Sequence, residues 1–197
     1  MHNMEVKNLK SIAVFCGSSY GDNPVFKDAA QELGKVLAEQ NVNLIYGGAS
    51  VGLMGELADS TLFHGGKVFG VIPQSLIDKE IAHTSLTKLI VVSSMHERKE
   101  KMAELSDGFI ALPGGPGTIE EFMEIFTWSQ LGFHQKPCGL LNIDHYYDLF
   151  IQFINQMNDR KFLHDKYRNM ALTSDNPSDL LAKFKSYTAP SIKTYNL

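Results

Sequence analysis

At 197 residues, with 44% hydrophobic and 20% charged residues, the chain has the size and composition of one globular domain with a sizeable core. Its net charge of −4 gives no electrostatic case for nucleic acid or an anionic membrane as main partner, so any anion site must be local. Two cysteines, Cys16 and Cys138, are too few for a disulfide framework, and no apolar run reaches membrane-spanning length.

The opening MHNMEVKNLK lacks the apolar stretch of a signal peptide, and a cytoplasmic protein is expected. Residues 11–15 read as a buried strand ending in Cys16-Gly17-Ser18-Ser19. Residues 24–40 carry apolar side chains at helical spacing, with Pro24 suited to a first turn. A second strand over 42–46 runs into Gly47-Gly48-Ala49-Ser50-Val51-Gly52, followed by a helix over 53–63 and a third strand over 67–72. Residues 73–88 show no clear period and are expected to be a loop with a helical turn. A fourth strand covers 89–92, and a helix covers 95–106, its start marked by the capping-box spacing of Ser94 and Glu97. Residues 109–112 are the fifth strand, and PGGPG at 113–117 is a turn. A helix follows from Thr118, whose T-x-x-E spacing with Glu121 predicts a second capping box. A sixth strand is read over 137–142, a helix over 145–157, and a terminal helix over 177–186 with Asn176 as N-cap. Residues 187–197 read as a tail.

Short apolar strands alternating with helices predict an α/β fold: a Rossmann-like doubly wound parallel sheet flanked by helices on both faces. It is expected as a single domain over 1–197 with its core at 11–186. In such sheets ligands bind beyond the carboxyl ends of the strands. Gly/Ser-rich turns follow strands at 17–19, 47–50 and 113–118, so all three should share one rim. The last opens a helix, which aims free backbone N–H groups and the positive end of the helix dipole at an anion. A nucleotide-sized ligand is expected. Neither G-x-x-x-x-G-K-[ST] nor G-x-G-x-x-G is present, which argues against a P-loop NTPase and an ordinary NAD enzyme. The histidines are scattered without ligand spacing, so no metal is expected.

Two charged groups break apolar stripes. Glu121 shares its stripe with Ile125 and Trp128 and so leans toward the interior, where a partly desolvated carboxylate could do acid/base work or bind sugar hydroxyls. The spacing alone is equally satisfied by a capping glutamate. Arg98 falls on the inward stripe of Met95, Met102 and Leu105, where it snorkels, pairs with a buried acid or faces a ligand pocket, the last being favoured. Lys99 and Lys101 read as solvated, and Cys16, with no identifiable base, as an inert buried thiol.

These motifs resemble those of the Lonely Guy proteins, cytokinin riboside 5′-monophosphate phosphoribohydrolases long mislabelled as lysine decarboxylases. PGGPGTIEEF fits that family's PGGxGTxxE, and SMHERKEKM resembles its MHxRK segment. VFCGSS, YGGASVGLMG, GVIP and TWSQLGFHQKPCGLLNIDHYYD extend the likeness over most of the chain. The resemblance implies hydrolysis of the N-glycosidic bond between an adenine-type base and ribose 5-monophosphate, without a metal or organic cofactor. It implies that Gly114, Gly115, Pro116, Gly117 and Thr118 hold the 5′-phosphate, and that Glu121 is catalytic together with Arg98. Glu80, Lys99, Ile119, Glu120 and Thr127 also fall at its ligand positions, and Gly17, Ser18, Gly47, Gly48, Met54 and Met95 complete the substrate site. The implied partner is a nucleoside 5′-monophosphate, and the implied assembly a homodimer. Pro116 stands where the family often has an aromatic, and Ala49 where a third glycine is common. A general AMP nucleosidase and a non-catalytic nucleotide-binding module, similar to molybdenum-cofactor carriers, are the rival readings. Lysine decarboxylation would need a pyridoxal phosphate lysine, and no lysine here is a convincing candidate.

Overall fold

The computed structural model describes residues 8–77 and 82–192. Their elements in chain order are β1 (Ser11–Phe15), α1 (Pro24–Glu39), β2 (Asn43–Tyr46), α2 (Gly52–Phe63), β3 (Val68–Pro73), α3 (Gln74–Ile77), β4 (Lys88–Val92) and α4 (Met95–Glu104). Then come β5 (Gly108–Ala111), α5 (Pro116–Leu131), β6 (Cys138–Leu141), α6 (Asp148–Asp159), α7 (Asp165–Arg168), β7 (Ala171–Ser174) and α8 (Pro177–Lys185). The strands form one sheet in the order β4-β3-β2-β1-β5-β6-β7, and every pairing is parallel.

Side-chain alternation along each strand sorts the core into two layers. Ile12 and Val14 of β1 face one way, against Leu33 and Leu37 of α1, Leu57 of α2 and Phe184 of α8. Ala13 and Phe15 face the other, against Met102 of α4, Phe122 and Phe126 of α5 and Ile154 of α6. Because both faces are covered, the strands read as continuous apolar runs. The chain steps outward from β1 to β4, then α4 carries it back across the sheet to β5 on the other side of β1. That reversal between β1 and β5 is a topological switch point, where the connections leave in opposite directions and open a crevice.

The predicted strands 11–15, 42–46, 67–72, 89–92, 109–112 and 137–142 all form, with ends moved by one residue or so. Other expectations change. The helix read over 145–157 begins at Asp148, because Asn142 Oδ1 accepts the Tyr147 N–H at 2.7 Å while its Nδ2 donates to Asp148 Oδ1 at 2.8 Å. A short 3₁₀ turn, Ile143–His145, precedes it, with Asp144 and His145 at positive φ. A seventh strand, β7, and the one-turn α7 were not expected from the sequence. At α8, Asn176 caps as expected, its Oδ1 accepting the Asp179 N–H at 3.1 Å. Beyond α8, Tyr187 is buried, and Lys166 Nζ donates to Ser191 Oγ at 2.8 Å, so the start of the expected tail lies on the fold.

Phe184 carries the α8 contact with the sheet. Its ring sits over Gly108 and Gly139, where a Cβ would come within 3.0 and 2.8 Å of it respectively. Truncating a fully buried ring leaves a void that the sheet backbone cannot fill, so Phe184→Ala should cost about 3–5 kcal/mol, read from urea unfolding.

Candidate active site

The crevice at the switch point is built by two turns that hold each other. The Gly17 N–H donates to the Pro113 carbonyl at 3.0 Å, and the Leu53 N–H at the start of α2 donates to the Gly17 carbonyl at 3.1 Å. At Gly114 no side chain would fit: a Cβ would overlap Thr118 Oγ1 and come 2.8 Å from the Gly17 N. A cleft of about 310 Å³ lies against these turns, with Cys16, Met54, Met95, Arg98 and Glu121 among its walls and the segment Gly115–Thr118 across it. A second cleft of about 530 Å³ adjoins it, sharing Gly17, Ser18 and Gly115 and adding Tyr20, Phe26 and Tyr146.

The start of α5 departs from the predicted capping box. The N-cap is Gly115, in extended conformation, and Pro116 occupies the first turn with no N–H to satisfy. Thr118 is therefore inside the helix, and its N–H turns back to the Gly115 carbonyl at 3.1 Å. Among the described residues, no acceptor takes the N–H of Gly115 or Gly117, and both glycines line the cleft. With the helix dipole behind them, these groups offer an anion two donors and local positive potential.

Glu121, freed of a capping role, turns inward and meets Arg98. Arg98 Nη1 lies 3.3 Å from Glu121 Oε1, and both side chains are almost entirely covered. Arg98 is held from two more sides. Its Nε donates to the Val71 carbonyl at 3.2 Å; β2 ends at Tyr46, opposite Gly70, so this carbonyl lies past the last β2 partner. The guanidinium also lies against Gly47, where a Cβ would overlap Nη2. Gly47 thus serves as the floor under Arg98. Burial is the main influence on Glu121 and raises its pKa above the ordinary 4.5; Arg98 opposes this, Glu120 and Glu124 add to it, and Lys99 opposes it. The Cys16 thiol is pushed up by burial, and the Glu121 charge adds to the effect, consistent with an inert wall.

Lys99 is not solvated as expected. It is 8% exposed, with Nζ 2.6 Å from Glu120 Oε1 and 2.9 Å from Glu124 Oε2. Its charge is committed to two carboxylates that flank Glu121 on α5, so α4 and α5 are joined by two adjacent charged contacts. Ser94 caps α4, its Oγ accepting the Glu97 N–H at 3.1 Å, while the Glu97 carboxylate reaches back to Ser93.

The other expected positions are spread. Gly17, Ser18, Met54, Met95, Arg98, Gly115, Pro116, Gly117, Thr118, Glu120 and Glu121 meet in the cleft. Gly114 lies behind it, and Gly48 packs against Ile72 and Leu89. Ile119 is half-buried and packs against the core beside α5, and Thr127 is exposed, about 14 Å further along the axis from Thr118. Glu80 lies outside the described residues. Tyr146 and Tyr147, which sequence reasoning did not single out, donate to the Gly114 and Leu112 carbonyls at 2.5 and 2.6 Å. A roomier hollow of about 670 Å³ between α1 and α2 is walled by Asp28, Glu32, Glu56 and Asp59 together with Lys35 and His64, and shares no residue with the cleft at the glycine turn. No cluster of metal-binding side chains occurs among the described residues.

Residues 54–184 match the protein family described as "Possible lysine decarboxylase". The chain is 45% identical over 181 residues to a probable cytokinin riboside 5′-monophosphate phosphoribohydrolase of Oryza sativa subsp. japonica, covering 91% of this chain and 74% of that one. It is also 45% identical over 179 residues to a cytokinin riboside 5′-monophosphate phosphoribohydrolase of Arabidopsis thaliana, covering 91% and 78%. Among solved structures, the molybdenum cofactor binding protein of Rippkaea orientalis shares the fold with a TM-score of 0.69 at 22% identity, over 91% of this chain and 97% of that one.

The burial of Glu121 has a measurable consequence for stability. Its folded pKa is raised, so its protonated form is favoured in the folded protein. The contribution is fully present below pH 4.5 and is lost as pH rises through the folded pKa. The wild type should therefore lose stability relative to Glu121→Gln as pH rises from below 4.5, levelling off above the folded pKa. Urea unfolding of both proteins across pH checks this, and a pH-independent difference would contradict it.

Proposed function

Because the chain belongs to the cytokinin riboside 5′-monophosphate phosphoribohydrolase family, we propose that it hydrolyses N6-modified adenosine 5′-monophosphates to free base and ribose 5-phosphate. The observation that carries this is the pairing of Glu121 with Arg98 at a cleft that also presents unpaired amides of a glycine turn. A nucleoside monophosphate needs both: donors for a dianionic phosphate, and a carboxylate near the anomeric carbon.

Cleavage breaks the C1′–N9 bond, and positive charge develops on the ribose as in an oxocarbenium ion. A carboxylate fixed beside that carbon lowers the barrier by electrostatic stabilisation and can orient the attacking water. Water oxygen then bonds to C1′, one of its protons goes to solvent, and the departing base takes up a proton at nitrogen. Glu121 is assigned the carboxylate role, with contact to the ribose hydroxyls. Arg98 opposes the effect of burial on that carboxylate and orients the substrate. The Gly115 and Gly117 N–H groups and the Thr118 hydroxyl receive the phosphate, and Cys16, Met54 and Met95 supply the softer wall. Lys99 acts here through Glu120 and Glu124.

A homodimer is part of the same proposal. Leu149 and Phe153, one helical turn apart on α6, are 79% and 54% exposed, and Phe150 and Met157 lie half-buried on the same helix. A second copy would cover them. Placement in the cytoplasm is proposed with it; among the described residues no helix is long and apolar enough to cross a membrane.

The test is release of free base from isopentenyladenosine monophosphate and from AMP, followed by chromatography. Wild type should release base, and Glu121→Ala should lose about 10³-fold in rate while remaining folded. The ratio of the two rates separates cytokinin activation from general AMP salvage. Folded, AMP-binding protein that releases nothing would instead identify a binding module. For the assembly, Phe153→Asp should convert the dimer to a monomer in sedimentation; a dimer that persists would place the interface elsewhere.

A further inference from the structure

Three consecutive carbonyls of the glycine turn are each held by a different donor. Leu112 O accepts from Tyr147 Oη at 2.6 Å, Pro113 O from the Gly17 N–H at 3.0 Å, and Gly114 O from Tyr146 Oη at 2.5 Å. In a trans peptide the C=O and the following N–H point in opposite directions. Fixing the Gly114 carbonyl on Tyr146 therefore fixes the Gly115 N–H away from Tyr146. Tyr146 lines the 530 Å³ cleft and not the 310 Å³ one, while Gly115 lines both, so an N–H turned away from Tyr146 is available to the smaller cleft that Arg98 and Glu121 line.

We propose that Tyr146 is a positioning residue for the substrate phosphate, its hydroxyl holding the Gly114 carbonyl so that the Gly115 N–H is aimed at the anion. This rests on the reading that the glycine turn receives the 5′-phosphate. The turn needs such a hold. Glycines leave its backbone free to rotate, and Pro116 removes the amide that would otherwise stand next in line. If Gly114–Gly115 were unrestrained, the peptide plane could flip and present a carbonyl to the phosphate, which would repel it. Tyr146 is well placed to prevent this because its ring is fixed independently of its hydroxyl. It meets Phe26 edge-on at 5.7 Å and Tyr147 edge-on at 5.0 Å. The ring is 44% exposed, so removing the hydroxyl leaves no buried gap.

Tyr146→Phe keeps both ring contacts and deletes the one hydrogen bond. Calorimetric titration of wild type and variant with AMP, ribose 5-phosphate and adenosine reads the effect. Affinity for AMP and for ribose 5-phosphate should fall about two- to tenfold, with adenosine binding and the unfolding midpoint unchanged. In turnover, KM for the monophosphate should rise more than kcat falls. Undiminished affinity for ribose 5-phosphate, or an equal loss for AMP and adenosine, would overturn the proposal. If the phosphate-specific loss appears but wild type releases no base, Tyr146 keeps this role and the hydrolase reading fails. If wild type binds neither AMP nor ribose 5-phosphate, both fall together.

Discussion

A carboxylate buried beside an arginine is the constraint around which the other features of the site arrange themselves. Removing Glu121 from water disfavours its ionised form, and an unpaired charge there would cost several kcal/mol. Arg98 offsets this only if its guanidinium stays at 3.3 Å, which requires support at its other faces. The Val71 carbonyl supplies one, since β3 runs past the end of β2. Gly47 supplies another by having no Cβ. Lys99 then holds Glu120 and Glu124, whose negative charges would otherwise act on Glu121 unopposed. One buried charge thus sets requirements on β2, β3, α4 and α5.

Sheet topology explains why these groups can meet at all. Arg98 and Glu121 lie on different helices, and α4 begins beyond an edge strand, three strands from β1. Because α4 must return across the sheet to reach β5, its first turn crosses toward the switch point and brings Arg98 over β3. The glycine turn after β5 and the Gly17 turn after β1 are adjacent because their strands pair, Phe15 opposite Ala111. Position in the sheet, more than any local motif, converts scattered residues into one cleft.

What was legible in the sequence follows from the same physics. Strands buried on both faces are continuous apolar runs, so β1, β2, β3, β5 and β6 could be read from the sequence, and the edge strand β4 could be read because LIVV is still an unbroken apolar run. β7, the other edge, could not: ALTS has Leu172 and Thr173 only half-buried and no apolar run, so it carries neither pattern strongly. α7 is a single turn, too short to show a period. The T-x-x-E spacing at Thr118 was genuine but misleading. Pro116, which favours the first helical position, was the better marker of where α5 starts. Lys99 looked solvated because its partners sit 21 and 25 residues away. The Tyr146 and Tyr147 bonds span 32 and 35 residues to backbone atoms, and no local pattern announces a side chain that binds a distant carbonyl.

Pro116 shows how a single departure within a motif redistributes work. At the first helical position it pre-sets φ and favours the helix, yet it withdraws an amide that could have faced the phosphate. Thr118 withdraws a second, since its N–H is already satisfied by Gly115. The proposed anion site then rests on Gly115 and Gly117, and of these Gly115 lies outside the helix, where the ladder does not fix its orientation. Of the two free donors, Gly115 is thus the one local structure controls least. Its direction has to come from outside the turn, and the tyrosine pair after β6 is positioned to provide it.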